Sequence, residues 1–196
     1  MTSWWNKNAQ KRLDDFKSWV GGSDLESKKY ARNYIAKKKY KSVLDCGCGI
    51  ATEYYGYKED NYEINYTGLD SCKFFVDKNR ENNIEMVEAE LEQPLPIEDN
   101  SFDCSYVKDV FEHLKYYETT INELIRVSKK EVIISWFIKP GDAEDQINYW
   151  EEEDLFHNVY NSTKLEEFIK SNPKVSKIEW KNVNDKETIL HIKIKK

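Results

Sequence analysis

A short buried strand that runs directly into a glycine turn constrains the fold of this chain more than any other stretch. Val43 and Leu44 belong to an apolar run that is typical of a parallel strand covered on both faces. Gly47 and Gly49 follow it, and glycine permits both a sharp turn and the close approach of a ligand to the backbone. The stretch therefore predicts the first strand–turn–helix unit of a nucleotide-binding α/β fold.

The acid in this strand, Asp45, separates two classes of nucleotide ligand. A carboxylate at the end of the strand would repel the pyrophosphate of a dinucleotide, but it would attract the ammonium group of an amino-acid-like ligand. The position of Asp45 therefore disfavours a dinucleotide, which the glycine turn alone would accept.

A second acid, Asp70, ends the next predicted strand and lies 21 positions after Gly49. In nucleotide-binding βαβ units, an acid about 20 residues beyond the turn accepts hydrogen bonds from the ribose hydroxyls. The alternative is that Asp70 or Ser71 only caps the following helix. We favour ribose binding because the glycine turn stands in its expected place upstream.

The segment Asp99–Asp103, with the sequence DNSFD, is a turn that leads into a fourth strand, and KDVFEHL follows at Lys108–Leu114. Ligands of open α/β sheets bind outside the carboxyl ends of the strands, so Lys108 and Asp109 should face them. His113 comes one helical turn later. Its titration range suits a general base, but it is equally interpreted as a structural histidine.

In this order, the motifs resemble those of the class I S-adenosylmethionine-dependent methyltransferases. Asp-x-Gly-x-Gly at residues 45–49 resembles motif I of that family, and DNSFD is very similar to a segment of its small-molecule, ubiquinone-biosynthesis-like group. The resemblance covers nearly the whole chain from Ser42 onward, although Ala51 stands where the family often has a third glycine. It implies an α/β fold with a Rossmann-like, seven-stranded, mostly parallel sheet. The seventh strand is antiparallel, and helices flank both faces.

The same resemblance implies S-adenosylmethionine as the methyl donor and S-adenosylhomocysteine as its product. Glu90 and Leu91 occupy the position of the family's adenine-contacting pair. The donor site predicted in this way comprises Asp45, Cys46, Gly47, Gly49, Asp70, Ser71, Glu90, Leu91, Lys108 and Asp109. No metal is expected, because the four cysteines (Cys46, Cys48, Cys72 and Cys104) lack the spacing of a metal site and are interpreted as buried thiols.

The chain is interpreted as one domain over residues 1–196, in four parts. The first part, residues 1–40, predicts two helices at 3–20 and 23–38 that either cover the sheet or close over a ligand through Trp4, Trp5 and Arg32. The other parts are the cofactor-binding core at 41–139, an acidic and aromatic insert at 140–163, and a last helix with a terminal β-hairpin at 164–196.

The insert at 140–163 contains seven acids and neither lysine nor arginine. Aromatic rings beside carboxylates suit a cationic or polyhydroxylated acceptor. The insert is therefore predicted to act as a lid that contacts the methyl acceptor through Tyr149, Trp150, His157 and Tyr160. The plainer alternative is a solvated acidic helix whose aromatic residues pack on the body of the domain.

The composition favours an enzyme that acts on a small molecule. The net charge of -6 argues against a large nucleic-acid footprint, which needs clustered lysine and arginine. No apolar run approaches the roughly 20 residues of a membrane-spanning helix, and no secretory leader pattern is present, so we expect a cytoplasmic protein without a membrane partner.

We therefore expect methyl transfer from S-adenosylmethionine to an O, N or C atom of a small-molecule acceptor, by in-line displacement. Two alternatives stay open. The first is a non-catalytic binding or partner subunit of the same fold. The second, which Asp45 makes less favoured, is a nucleotide-dependent oxidoreductase.

Overall fold

One large sheet carries the fold of residues 7–9, 13, 25–152 and 154–195, which the computed structural model describes. Its strands are β1 (Ser42–Cys46), β2 (Asn65–Asp70), β3 (Met86–Glu88), β4 (Phe102–Lys108), β5 (Ser128–Trp136), β8 (Val175–Asn182) and β9 (Thr188–Ile194). A separate two-stranded hairpin consists of β6 (Tyr149–Trp150) and β7 (Leu155–Phe156).

The strand order of the sheet is β3-β2-β1-β4-β5-β9-β8. The first five strands of this order are parallel to one another, and β9 is antiparallel to both β5 and β8. This topology confirms the predicted seven-stranded, mostly parallel sheet with an antiparallel last strand. The order reverses direction at β1 and β4, and the crevice outside the carboxyl ends of these strands is where such sheets bind ligands.

Helices cover both faces of the sheet. In the described residues they are α1 (Glu26–Lys37), α2 (Thr52–Glu59), α3 (Lys73–Glu81), α4 (Glu118–Val127) and α5 (Ser162–Ser171). Side chains alternate along β1, so Leu44 packs with α4 and α5 whereas Val43 packs with α1 and α2. None of these helices is long and apolar enough to cross a membrane.

The predicted N-terminal cover is described only in part. The helix expected at 3–20, including Trp4 and Trp5, lies largely outside the described residues, and α1 begins at Glu26. Arg32 belongs to the alternative in which the N-terminal helices close over a ligand, but in the structure its side chain does not line the cleft. Its guanidinium is buried and bonds Glu53 Oε2 at 3.1 Å and Asp60 Oδ2 at 2.8 Å, so it ties α1 to α2.

The insert at 140–163 folds as the β6–β7 hairpin, and the alternative of an acidic helix is wrong for its described residues. Two backbone hydrogen bonds close its base, from Gly141 N to Tyr160 O at 3.0 Å and from Gln146 N to Val159 O at 2.8 Å. The hairpin stands beside the carboxyl ends of the strands, because β7 packs on the 3-10 turn Phe111–His113 that follows β4.

Candidate active site

A cleft of about 640 Å³ opens at the carboxyl ends of β1, β2 and β4, with the β6–β7 hairpin on one side. Its lining brings together residues that the sequence spreads over more than one hundred positions. Nine of the predicted site residues line it, namely Gly47, Gly49, Asp70, Ser71, Glu90, Leu91, Asp109, His113 and Tyr149. The other six predicted residues (Asp45, Cys46, Lys108, Trp150, His157 and Tyr160) are not part of this lining.

The glycine turn forms the floor of the cleft, and its backbone requires glycine. Gly47 has φ of +70° and Gly49 has φ of +52°, a region that other residues rarely adopt. A Cβ at Gly47 would lie 2.4 Å from Cγ2 of Val110, which is closer than two carbons can approach. Ala51, in place of a third glycine, also adopts a left-handed conformation with φ of +54°.

The Asp70 carboxylate joins the first two strand–helix turns. Its Oδ2 accepts from Gly49 N at 2.8 Å and its Oδ1 accepts from Cys72 N at 2.8 Å. Burial raises the pKa of Asp70 to about 6, although the backbone donors act in the opposite direction. Each carboxylate oxygen has two lone pairs, so both oxygens can still accept a hydrogen bond from a hydroxyl group. The residues present therefore fit a ribose.

Glu90 and Leu91 continue the cleft beyond Asp70. Ala89 N donates to Asp70 O at 3.1 Å, which holds the end of β3 against β2. Leu91 is buried, and its carbonyl accepts from Thr120 Oγ1 at 2.9 Å, so the backbone of this segment is fixed by α4. Glu90 is exposed at the rim, where its carboxylate can reach a polar group of a ligand.

Asp45 lies behind the glycine turn, on the side of α1 and α2. The residue is only 5% exposed, and its Oδ2 accepts from Tyr66 Oη at 2.6 Å. Burial, followed by the nearby charge of Glu53, raises the pKa of Asp45 to about 7. Its carboxylate is thus close to the turn but does not contact the cleft directly in this conformation. It acts on the cleft through its electrostatic field.

Two more predicted donor residues lie behind the cleft wall. Cys46 is fully buried in the core, so only its backbone can serve a ligand. Lys108 places its ammonium 2.7 Å from Asp109 Oδ2 and 3.0 Å from Glu187 Oε1, which ties the end of β4 to β9. Neither side chain lines the cleft, because Cys46 packs in the core and Lys108 is held by its two carboxylates, so donor binding by these two residues stays a prediction.

His113 lies at the hairpin side of the cleft. Its Nδ1 is 2.7 Å from Phe156 O, and because a carbonyl only accepts, Nδ1 carries the proton. The neutral ring is therefore the tautomer in which Nε2 is unprotonated. The ring also makes an edge contact with His157, at 5.2 Å between centroids.

The aromatic residues of the insert divide into three environments. Tyr149 lines the cleft and donates to Asp154 Oδ1 at 2.5 Å. Trp150 is 52% exposed and stacks on His157 at 4.2 Å, outside the lining. Tyr160 is 2% exposed, donates to Leu114 O at 2.5 Å and packs in the core, which corrects its predicted role as an acceptor contact.

Glu112 is a positioning residue that the sequence analysis missed. Its Oε1 accepts from the backbone N–H groups of Phe137 and Ile138, at 2.8 and 3.1 Å, while its carbonyl accepts from Asn158 N at 2.8 Å. Burial raises its pKa to about 7. Glu112 therefore anchors the 3-10 turn that carries His113 to β5 and to the insert. The signal available in the sequence was an acid inside the largely apolar stretch Val110–Leu114.

Several further lining residues were also missed, and most are aromatic or apolar: Phe75, Val110, Leu114, Tyr116, Leu155 and Phe156. They give the cleft apolar walls around its few polar groups, which is the usual composition of a small-molecule site. Val110, Leu114 and Phe156 carried a local signal, since each stands beside a residue that was predicted to be functional (Asp109, His113 and His157).

Comparison with known proteins agrees with this geometry. The family described as "Methyltransferase domain" matches residues 44–135, which include the turn, Asp70 and His113. No curated protein matches the chain.

Many solved structures are similar, and three of them illustrate the likeness. The Burkholderia thailandensis 1,6-didemethyltoxoflavin-N1-methyltransferase with bound S-adenosylhomocysteine has a TM-score of 0.69 and 12% identity over 98% of this chain and 88% of that one. The putative methyltransferase in complex with the Haloferax volcanii Trm112 activator has a TM-score of 0.68 and 13% identity, over 97% of this chain and 96% of that one. A SAM-dependent methyltransferase from Aquifex aeolicus has a TM-score of 0.58 and 20% identity, over 83% of this chain and 89% of that one.

At these identities the solved structures establish the fold alone, and the family match covers the residues of the glycine turn, Asp70 and His113. The sheet topology, the glycine turn and the spaced acids occur together within the matched residues. Residues 44–135 therefore match the methyltransferase domain family, within a chain that has the fold of S-adenosylmethionine-dependent methyltransferases of known structure.

Proposed function

We propose that this methyltransferase acts on a small-molecule acceptor and that the cleft binds donor and acceptor side by side. The observation that carries the proposal is the Asp70 carboxylate, which lines the cleft and bonds Gly49 N at 2.8 Å. The cleft volume of about 640 Å³ also falls within the range of small-molecule sites, roughly 300–1,000 Å³.

The donor supplies a methyl group that its sulfonium already activates, so the chain mainly has to bind, orient and exclude water. In this proposal Asp70 accepts from the ribose hydroxyls, Glu90 and Leu91 contact the adenine, and the turn at Gly47 and Gly49 leaves room for the donor. Ser71 borders the same part of the lining. Asp45 contributes a negative charge behind the turn, which favours a cationic ligand.

Acceptor contacts are assigned to the hairpin side of the cleft. Tyr149 and Phe156 form an aromatic wall, with ring centroids 5.1 Å apart, and both line the cleft. Trp150 and His157 stand next to this wall and support it. Replacing Tyr149 with alanine should raise the KM for the acceptor while leaving donor affinity unchanged. A fall in donor affinity would show that the hairpin is not an acceptor wall.

His113 is the candidate general base for an acceptor that must lose a proton. The bond from its Nδ1 to Phe156 O fixes the tautomer in which Nε2 is the basic nitrogen. We expect His113→Gln to lower kcat for a hydroxyl or carbon acceptor by roughly 10²–10⁴-fold, the usual range for general-base catalysis. An unchanged kcat with such an acceptor would leave His113 a structural residue.

A methyl-transfer screen with radiolabelled S-adenosylmethionine tests the proposal. It covers amines, sugars, nucleotides and quinone-like acceptors, and Asp70→Ala provides the negative control. Turnover of at least one acceptor class, lost in the control, is the expected result. Binding of S-adenosylhomocysteine without any turnover would favour the non-catalytic subunit. Tight NADH binding without S-adenosylhomocysteine binding would establish the oxidoreductase.

The proposal places the reaction in the cytoplasm and excludes nucleic acid as the acceptor. Support for the location comes from the four cysteines, all of them free thiols, which persist in a reducing compartment. Support for the acceptor class comes from the lining, where five carboxylates accompany a single lysine, Lys115, among the described residues. Phosphate backbones require the opposite balance of charge.

A further inference from the structure

Helix α3 buries three of its residues, and one of them is polar. Phe75 and Val76 pack in apolar clusters, whereas Asn79 carries an amide and is only 3% exposed. Burying an amide costs free energy unless new hydrogen bonds replace those that it made with water. A leucine of similar size would avoid this cost, so the amide at this position indicates a specific partner.

The partner of Asn79 is the glycine turn. Asn79 Nδ2 donates to Gly49 O at 2.7 Å, between residues that are 30 positions apart in the chain. A carbonyl oxygen only accepts, so this bond decides which end of the amide faces the turn. Helix α2 begins directly after the turn, and its N-cap residue, Ala51, provides no side-chain cap. Part of the polar support of the turn therefore comes from α3, which follows the next strand.

Gly49 is held from both sides. Its N–H belongs to the preceding peptide and donates to Asp70 Oδ2 at 2.8 Å, while its carbonyl belongs to the following peptide and accepts from Asn79. Glycine has the softest backbone torsions of all residues, because it lacks a side chain. Fixing the peptides on both sides removes this freedom, so Gly49 keeps its φ of +52°.

The same helix also holds the second oxygen of the Asp70 carboxylate. Oδ1 accepts from Cys72 N at 2.8 Å, at the start of α3, and Asn79 follows seven residues later. Seven residues are about two helical turns, so both donors lie on one side of the helix. Three hydrogen bonds thus join α3, Asp70 and Gly49 into a closed ring.

We propose that Asn79 is a positioning residue for the methyl donor and that it acts through Gly49 and Asp70. The proposal rests on the role that the proposed function gives to Asp70. A carboxylate accepts from two neighbouring ribose hydroxyls only if it is held within roughly 0.5 Å of the right place. Asn79 does not line the cleft, so it fixes the carboxylate without touching the donor.

Asn79→Leu is the main test, because leucine has a similar size and favours a helix but cannot donate a hydrogen bond. We expect the Kd for S-adenosylhomocysteine, measured by calorimetry, to rise about tenfold, since a small displacement of a binding group has effects of this order. A rise of less than about threefold would overturn the proposal. Asn79→Ala also lacks the donor, and it takes the place of the leucine variant if that variant does not fold.

A double-mutant cycle shows whether the effect passes through Asp70. In the Asp70→Ala background, Asn79→Leu should change the Kd by less than about twofold, because the group that Asn79 positions is already absent. In the structural alternative, Asn79 only satisfies a buried carbonyl and stabilises the fold. That alternative gives the same factor in both backgrounds, and such a result would contradict the proposal.

Two variants of the same helix control for stability. Val76→Ala removes buried apolar surface from α3 without touching the ring of hydrogen bonds. Asn82→Leu removes another amide, which donates from Nδ2 to Lys78 O at 2.8 Å at the exposed end of the helix. Both should change the Kd by less than about threefold, even where urea unfolding shows a loss of stability. If Val76→Ala weakens binding as much as Asn79→Leu does, the effect belongs to the whole helix and the proposal is wrong.

The outcomes distinguish this proposal from the one on which it rests. If Asn79→Leu binds like the wild type while Asp70→Ala binds weakly, Asn79 has no positioning role and the donor site stands. If the wild-type protein does not bind S-adenosylhomocysteine, or if Asp70→Ala binds as tightly as the wild type, the proposed donor site itself fails.

Discussion

Two groups of buried carboxylates lie on the same face of the sheet, at opposite ends of its parallel strands. The amino-end cluster consists of Glu131 with Tyr34, Tyr40, His191 and Lys193. The carboxyl-end cluster consists of Asp45, Glu53 and Asp109 with Lys28 and Lys108. Glu131, Asp45 and Glu53 are buried and Asp109 is partly exposed, and the two clusters differ in how fully their carboxylates are hydrogen-bonded.

In the amino-end cluster, one carboxylate receives four donors. Glu131 Oε1 accepts from His191 Nδ1 at 2.7 Å and from Lys193 Nζ at 2.6 Å, while Oε2 accepts from Tyr40 Oη at 2.6 Å and from Tyr34 Oη at 3.3 Å. Burial alone would raise the pKa of Glu131, but these hydrogen bonds outweigh it and lower the pKa. The cluster docks α1 on β5 and β9.

In the carboxyl-end cluster, burial affects the pKa values of the carboxylates more than their positively charged neighbours do. It raises the pKa of Asp45, Glu53 and Asp109, although Lys28, Arg32 and Lys108 act in the opposite direction. Glu53 Oε1 and Asp109 Oδ1 have no hydrogen-bond partner among the described residues. Both carboxylates are ion-paired through Arg32 or Lys108, but a carboxylate whose burial is only partly offset destabilises a fold, and such groups cluster at binding sites. The pairing in the amino-end cluster serves stability, and we propose that the carboxyl-end cluster serves ligand binding.

The largest effect is expected from Glu131→Ala. Removing the carboxylate leaves Lys193 and His191 without their buried partner, which should lower the free energy of unfolding by about 3–5 kcal/mol. Urea unfolding at neutral pH measures this loss. S-adenosylhomocysteine affinity of the folded fraction should change less than threefold. A stability loss below about 1 kcal/mol would contradict the role assigned to the amino-end cluster.

Asp45→Asn should raise the free energy of unfolding at high pH, whereas Glu131→Ala should lower it. Because the pKa of Asp45 is raised from its ordinary 3.8 to about 7, the folded state holds the proton more tightly than the unfolded state. Its contribution to stability is therefore present below the ordinary pKa and is lost as the pH rises to about 7.

At pH 8 the variant should accordingly be more stable than the wild type, by on the order of 1–3 kcal/mol. Near pH 5 the difference in unfolding free energy between the variant and the wild type should be smaller. Urea unfolding of both proteins at the two pH values gives the comparison. The same variant should bind S-adenosylhomocysteine more weakly. A variant that is less stable at pH 8 would place Asp45 with the structural carboxylates.

The smallest effect is expected from Tyr160→Phe. The hydroxyl donates to Leu114 O, which also accepts from Asn158 Nδ2 at 2.7 Å, so the carbonyl keeps a donor in the variant. We expect a loss of about 1 kcal/mol in unfolding free energy, with unchanged affinity for donor and acceptor.

Tyr149→Phe is the matched control for Tyr160→Phe, because it removes a hydroxyl that lies in the cleft. It should spare stability but change acceptor affinity. A change of acceptor KM in Tyr160→Phe would restore Tyr160 to the acceptor site.

The sequence predicted the parts of the site that depend on local order along the chain. Gly47, Gly49 and Asp70 belong to one strand–turn–helix–strand unit, whose spacing fixes where its turns meet. The apolar strands followed from the same pattern of runs and turns, whereas the mostly parallel seven-stranded sheet followed from the family resemblance.

Sequence patterns were insufficient where the answer depends on contacts between distant residues. Arg32 finds its partners Glu53 and Asp60 on another helix, and Tyr160 finds Leu114 far back along the chain. Neither partner can be identified from local pattern. The aromatic residues of the insert looked alike in sequence, but the hairpin directs Tyr149 to the cleft and Tyr160 to the core.

The most direct test of the account is calorimetric titration of S-adenosylhomocysteine into the wild-type protein, Asp70→Ala and the exposed-charge control Asp77→Ala. Loss of one hydrogen bond to a charged group costs ~1.5–3 kcal/mol, so binding to Asp70→Ala should weaken by at least about 10- to 150-fold. Asp77→Ala should bind like the wild type. Equal affinity in all three proteins would contradict the claim that Asp70 and the glycine turn hold the methyl donor.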